Sequence, residues 1–173
     1  MARESEEIYY KGEEIQVFYH SSSGGITEDC ANVYAESLPY LVSVESEGEE
    51  SYSNYYGKVT LSYGRFVSLM EAYSPGISLS GGAEDIGAIT RYDSGRVKSI
   101  EIGGKTFTGR EIRLIFKLNS TNFTIKTTDE ITFSTIGFGH GVGMSQTGAN
   151  EMARNGSDYI EILEHYFTGV TVG

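Results

Sequence analysis

The sequence predicts an α+β fold of mainly antiparallel hairpins, forming a curved sheet or small barrel, with a few short helices including two at the C-terminus. Three observations carry this. Apolar residues alternate with period two in runs separated by glycine turns, and capping signals flank short stretches of helical period. The chain also holds 22 glycines and 2 prolines in 173 residues with 39% hydrophobic content, a turn-rich but globular composition. The length suits one ordinary domain, so residues 1–173 are expected as a single domain.

The first hairpin is read from Ile8–Tyr10 through the turn Lys11-Gly12-Glu13 into a strand along Ile15, Val17 and Tyr19. His20-Ser21-Ser22-Ser23-Gly24-Gly25 is expected as a loop, because Ser and Gly favour local side-chain bonds and open backbone angles. Glu45 to Ser53, rich in carboxylates with only Tyr52 as an apolar anchor, reads as a second, solvated loop. Val59, Leu61 and Tyr63 alternate as a strand. Phe66, Leu69, Met70 and Tyr73 then form one face of a helix that must stop before Pro75. Glycines punctuate Ile77 to Gly87 as loop or very short elements. Arg96 to Ile102 turns at Gly103-Gly104 into Lys105 to Phe107, a second hairpin.

Arg110 to Leu118 fits a strand or a helix by period. The capping box Thr108-x-x-Glu111 decides for a short helix. Phe123 with Ile125, and Ile131 with Phe133, flank Thr127 to Glu130 as a third hairpin. Met144 to Arg154 reads as a helix whose Gly148, Ala149 and Ala153 allow close packing, stopped by Asn155-Gly156. Ser157 is expected to cap a last helix carrying Ile160, Leu163 and Phe167 on one face.

Lys and Arg total 13 against 24 Asp and Glu, a net charge of −11, which argues against nucleic acid and other polyanionic partners. No run of 18 apolar residues occurs, and Met1 to Glu14 is acidic where a secretory leader is basic and then apolar. The single Cys30 cannot form an internal disulfide.

Gly137-Phe138-Gly139-His140-Gly141-Val142-Gly143-Met144-Ser145-Gln146 is the least ordinary stretch. Its alternating glycines are expected to present bare backbone on one side of an extended strand end, with His140 between them as a hydrogen-bonding group. Ser145 and Gln146 would stand at the first turn of a helix, where backbone N–H groups can meet a polar ligand. The alternative is purely structural: glycines for twist and close packing, His140 satisfied and buried. The Ser-Gly tract suits carbohydrate or amide recognition, or else a plain turn. His20 and Cys30 with His140 or Asp29 could hold zinc by donor type, although the spacing and the lack of a second Cys argue against it. Ser145 lacks the Gly-x-Ser-x-Gly elbow of a hydrolase nucleophile.

Three places carry a family resemblance. The first is Gly139-His140-Gly141-Val142-Gly143-Met144-Ser145-Gln146-x-Gly148-Ala149, followed by Met152-Ala153 and Ile162-Leu163-x-x-Tyr166. The second is His20-Ser21-x-Ser23-Gly24-Gly25-x-Thr27-Glu28 with Pro39-Tyr40-Leu41. The third is Ser94-Gly95-Arg96-Val97, leading to Gly109-Arg110-Glu111-x-Arg113 and Asn119-Ser120-Thr121-x-Phe123. In these the chain resembles the stage II sporulation protein D family of peptidoglycan lytic transglycosylases, related to the amidase-enhancer proteins of bacterial cell walls.

The resemblance implies cleavage of the bond between N-acetylmuramic acid and N-acetylglucosamine through an oxocarbenium-like transition state, with closure of a 1,6-anhydro ring. A carboxylic acid of raised pKa must protonate the leaving oxygen. The family's catalytic glutamate sits in an upstream segment, near a Pro and before an Ala-rich helix, and Glu36-Ser37-Leu38-Pro39 does not match it. The chain is therefore expected to correspond to the back two thirds of such a domain, with no catalytic residue assigned and no activity of its own. Thr147 stands where the family usually has Tyr.

With no Trp, the 13 Tyr and 8 Phe would supply faces for sugars. Substrate contacts are expected from His20, Ser21, Ser23, Gly24, Gly25, His140, Gly141, Ser145 and Gln146. The implied partners are peptidoglycan glycan strands and other cell-wall hydrolases, outside the cytoplasm, with no cofactor. The alternative reading is a non-catalytic glycan-binding or amidase-enhancing module. Apolar surface left open by the absent segment would favour a homo-oligomer.

Overall fold

The computed structural model describes residues 6–34 and 36–173; the first five residues of the acidic start lie outside them. The fold is α+β, with five helices among the described residues: α1 (Cys30–Val33), α2 (Tyr63–Tyr73), α3 (Gly109–Phe116), α4 (Gln146–Arg154) and α5 (Tyr159–Tyr166). The strands form separate sheets of two or three, mostly antiparallel, and no barrel closes among the described residues. The 1–173 span resolves into two compact units: the second, Tyr56–Gly137, is inserted between the two stretches of chain that build the first.

The second unit contains most of the predicted hairpins. Ile131–Ile136 lies between Phe123–Thr127 and Tyr56–Leu61, and Val97–Ile102 lies between Ile86–Arg91 and Lys105–Thr108. Gly103 and Gly104, at φ +56° and +74°, give the left-handed pair that a two-residue hairpin turn requires. In α3 the capping box forms as expected. Thr108 Oγ1 accepts from the Glu111 N–H (3.2 Å), and Glu111 Oε2 accepts from the Thr108 N–H (2.7 Å). The helix buries Ile112 and Phe116, and Phe116 stacks on Phe66 and Phe133 at centroid distances of 5.3 and 4.7 Å.

Helix α2 ends at Tyr73, two residues before Pro75, as its pattern predicts. The strand Ile86–Arg91 starts at the end of the Ile77 to Gly87 stretch, read as loop or very short elements, and continues into residues for which no element was predicted. Register shifts along it break the period-two signal, leaving only Ile86 and Ile89 half-buried.

The first unit has its own core, around Cys30, Leu41, Val142, Ile162, Tyr166 and Phe167. Ile8–Tyr10 turns at Lys11 and Gly12 (φ +52° and +84°) onto Glu13–Glu14. The expected strand stops there, because a three-residue partner offers nothing further to pair with; Thr171–Val172 completes the sheet on the other edge. Ser145 caps α4 by accepting from the Gly148 N–H. Asp158, not Ser157, caps α5, in a capping box with Glu161. No described helix is long and apolar enough to cross a membrane.

Candidate functional site

The Ser-Gly tract and the glycine-rich segment from Phe138 onward, far apart in sequence, lie side by side in the first unit. Ser22 and Phe138 exchange both backbone hydrogen bonds, at 3.0 and 2.8 Å. The Glu28 N–H donates to the Gly141 carbonyl (2.8 Å) and the Thr147 N–H to that of Ser21 (3.1 Å), while Met144–Ser145 pairs in parallel with Tyr19–His20.

The segment is not the extended strand end expected from its alternation. Gly137, Gly139, Gly141 and Gly143 all take positive φ, from +74° to +113°. The two closest approaches explain why no side chain fits. A Cβ on Gly143 would lie 2.1 Å from the Phe18 carbonyl oxygen, and one on Gly139 would lie 2.9 Å from the His20 Cβ.

Beneath the Ser tract lies a fully buried carboxylate, Glu49, in a short 3₁₀ turn (Glu49–Ser51) of the stretch expected to be a solvated loop. It accepts from the hydroxyls of Ser22, Ser23, Ser46 and Thr147 at 2.5 to 2.7 Å and from the Ser23 N–H at 2.9 Å. A carboxylate only accepts, so Ser46 spends its proton on Glu49. Its bond to the Tyr166 hydroxyl (2.6 Å) therefore runs from Tyr166 to Ser46. The result is a directed relay, Tyr166 to Ser46 to Glu49. Burial alone would raise the Glu49 pKa, but the hydroxyl donors overcome it and hold the carboxyl below its ordinary value. Burial, joined by the nearby Glu49 charge, pushes the Tyr166 phenol up to about 12.

These two shifts give a pH prediction. A depressed folded-state pKa means that Glu49 contributes its stability above the ordinary value of 4.5 and loses it as pH falls through the folded value. The stability gap between the unmodified chain and Glu49→Gln should therefore narrow on acidification. Tyr166 has the opposite sign: its contribution is intact below 10.0 and fades as pH rises toward about 12. Urea unfolding midpoints across pH, for the unmodified chain, Glu49→Gln and Tyr166→Phe, check both limbs.

Beside this network the Val142 peptide is held from both ends by imidazoles. His20 Nδ1–H donates to the Val142 carbonyl (3.1 Å), and the Val142 N–H donates to His140 Nδ1 (3.0 Å). The partners assign opposite tautomers, with the donor nitrogen at Nδ1 in His20 and at Nε2 in His140. The rings are 5.6 Å apart. Phe18 and Tyr34 stand 6.5 and 6.1 Å from the His140 ring, which is half-buried. Tyr19 and Phe138, 61% and 42% exposed, put two aromatic faces on the surface of the same paired segments.

The expected site residues therefore separate into two sets. Ser23 and Ser145 are fully buried, the one bound to Glu49 and the other capping α4. His20 is buried against Val142. Ser21, Gly24, Gly25 and His140 are half-buried and Gln146 is exposed, while Gly141 uses its carbonyl on Glu28. Asn54 donates its amide to the Ser21 hydroxyl.

Thr147, singled out as a departure from the family pattern, has its hydroxyl on Glu49. The zinc set does not assemble: among the described residues no three His, Cys, Asp or Glu side chains could share an ion, and the buried Cys30 thiol donates to the Glu36 carbonyl (3.2 Å). Glu49 and Ser46 were missed, and so was the burial of Glu28, a residue of the second motif, whose Oε1 accepts from the Asp29 N–H and the Asn32 amide. A run of four carboxylates carries no local mark of which one goes inside.

Comparison with known proteins adds the following. No family model matches the chain. It is 36% identical over 167 residues to a protein named Stage II sporulation protein D from Bacillus subtilis (strain 168), covering 95% of this chain and 47% of that protein. The match to the protein of the same name from Bacillus amyloliquefaciens has the same identity and coverage. A stretch of 59 residues, 34% of this chain and 8% of its relative, is 46% identical to a Bacillus subtilis protein named Amidase enhancer. The chain thus spans about half the length of the sporulation proteins it matches.

Proposed function

We propose that this chain recognises peptidoglycan glycan strands in bacterial cell-wall remodelling, as part of a protein of the sporulation protein D type. The observation that supports this best is the pairing of the Ser-Gly tract with the glycine-rich segment. It sets the half-buried His140, the exposed Gln146 and the aromatic faces of Tyr19 and Phe138 on adjoining backbone. A saccharide needs this mixture: apolar ring faces for its C–H surfaces and a few fixed donors and acceptors for its hydroxyl and acetamido groups. Similarity to a sporulation protein and to an amidase enhancer points to the same wall context, outside the cytoplasm.

The reading assigns this chain binding without glycosidic cleavage. A general acid must keep its proton near neutral pH, whereas Glu49, buried beneath the tract, is held in its charged form. A second reading, that the surface docks a cell-wall amidase and raises its activity, is favoured by the 46% match to the amidase enhancer.

Pull-down with purified sacculi tests the proposal. The unmodified chain should be retained and release no anhydro-muropeptides. His140→Ala should weaken retention about fivefold, the scale of one lost hydrogen bond of about 1 kcal/mol. Glu50→Gln, on the exposed side of the acidic turn, should leave it unchanged. Equal retention of both variants would move the site elsewhere. Anhydro product from the unmodified chain would make one of Glu28, Glu36 and Glu151 the acid. Stimulation of an amidase by a chain that sacculi do not retain would favour the second reading.

A further inference from the structure

Helix α3 of the second unit carries a feature that glycan recognition in the first unit does not use. One side of the helix is the core side, through Ile112 and Phe116. On the other side, Arg110, Arg113 and Lys117 surround Leu114, which is 70% exposed, and together with Leu118 they line a cavity of about 500 Å3. The same wall includes Glu111, whose carboxylate is occupied by the Thr108 N–H and hydroxyl and by the Tyr73 hydroxyl (2.7, 2.8 and 3.0 Å). Three cations thus gather around a solvent-facing leucine in a chain whose net charge is −11.

The Arg113 side chain and the Lys117 backbone are held in place. Arg113 is half-buried with its Nε–H on the Leu118 carbonyl (3.2 Å), and Lys117 sits in the left-handed conformation that ends the helix, its N–H on the Arg113 carbonyl. Burial, with the like charge of Arg110 beside it, lowers the Arg113 pKa.

We infer that this face of α3 is a binding site for a short acidic peptide segment in which carboxylates flank an apolar side chain. Guanidinium groups match the planar carboxylate in two-pronged hydrogen bonds, and Leu114 supplies an apolar contact between the charges. A volume of about 500 Å3 suits a ligand of a few residues. The net charge of −11 disfavours a long polyanion, whereas a short segment within a screening length of about 8 Å meets mainly the local cations. A phosphate polymer would gain the charges but leave Leu114 without a partner.

The test uses the full chain and a fluorescent peptide, Ala-Glu-Leu-Glu-Ala, read by anisotropy. Binding should weaken roughly three- to fivefold with either Arg110→Gln or Lys117→Gln, the scale of a partly exposed charge contact, and weaken further as salt is raised. Leu114→Ala should weaken it at every salt concentration. All three positions lie on the helix surface, so unchanged thermal melting should accompany each loss. Equal affinity for Ala-Gln-Leu-Gln-Ala, or no effect of any of the substitutions, would overturn the inference. Binding of tripolyphosphate in place of the peptide, lost in the same Arg and Lys variants, would overturn it in favour of a phosphate ligand.

Discussion

Replacing Glu49 by alanine should destabilise the first unit by about 3–5 kcal/mol, because several buried neutral donors would go unsatisfied at roughly 1–3 kcal/mol each before they re-pair in part. Four hydroxyls and one backbone N–H would lose their shared acceptor in a site closed to water. Ser46, now without an acceptor, would also compromise the bond it receives from Tyr166. Glu49→Gln keeps the shape but turns an amide into a ring of donors, so a smaller loss of roughly 1–3 kcal/mol is expected. Urea unfolding followed by far-ultraviolet dichroism measures both. A shift below about 1 kcal/mol for Glu49→Ala would mean that the hydroxyls re-pair among themselves and that the carboxylate does not organise the tract.

The second large effect is expected at Gly143. Alanine there needs a positive φ of +74° and places its Cβ 2.1 Å from the Phe18 carbonyl oxygen, a backbone atom that accepts from the Met144 N–H. Relief requires the strand pair Tyr19–His20 and Met144–Ser145 to separate. Left-handed strain of about 1–2 kcal/mol adds to an overpacking cost of roughly 1–3 kcal/mol. Retention on sacculi should fall with stability in this variant, because the displaced strand carries Tyr19 and His20. A Gly143→Ala chain that melts and binds as the parent does would show that Phe18 yields freely.

Legibility in the sequence followed how local each cause was. Helix α3 could be read because its deciding signal, Thr108 with Glu111, lies within one turn, and the Gly103-Gly104 hairpin because its turn geometry resides in two residues. The meeting of the Ser-Gly tract with the glycine-rich segment could also be anticipated from their matching polar character. The role of each residue there could not. Ser23 looks like a ligand contact in a row of serines, and the distant Glu49 claims its hydroxyl proton. The glycine alternation mimics a strand, because period two is also produced when every second residue must turn left-handed. Ile86–Arg91 escaped for a related reason: its bulges erase the alternation that identifies a strand.

The insertion of the second unit sets an order of folding. Tyr56–Gly137 is one continuous stretch in which only the pairing of Tyr56–Leu61 with Ile131–Ile136 joins its two ends, so it can collapse as soon as that last strand leaves the ribosome, before α4 and α5 are made. The first unit has to wait. His20 meets Val142 across 122 residues and Ser46 meets Tyr166 across 120, so these partners of its N-terminal half stay unmade until the C-terminal stretch is synthesised. During that interval Tyr19 and His20 have no partner strand, and chaperone binding or aggregation of nascent chains should map to this stretch rather than to the inserted one.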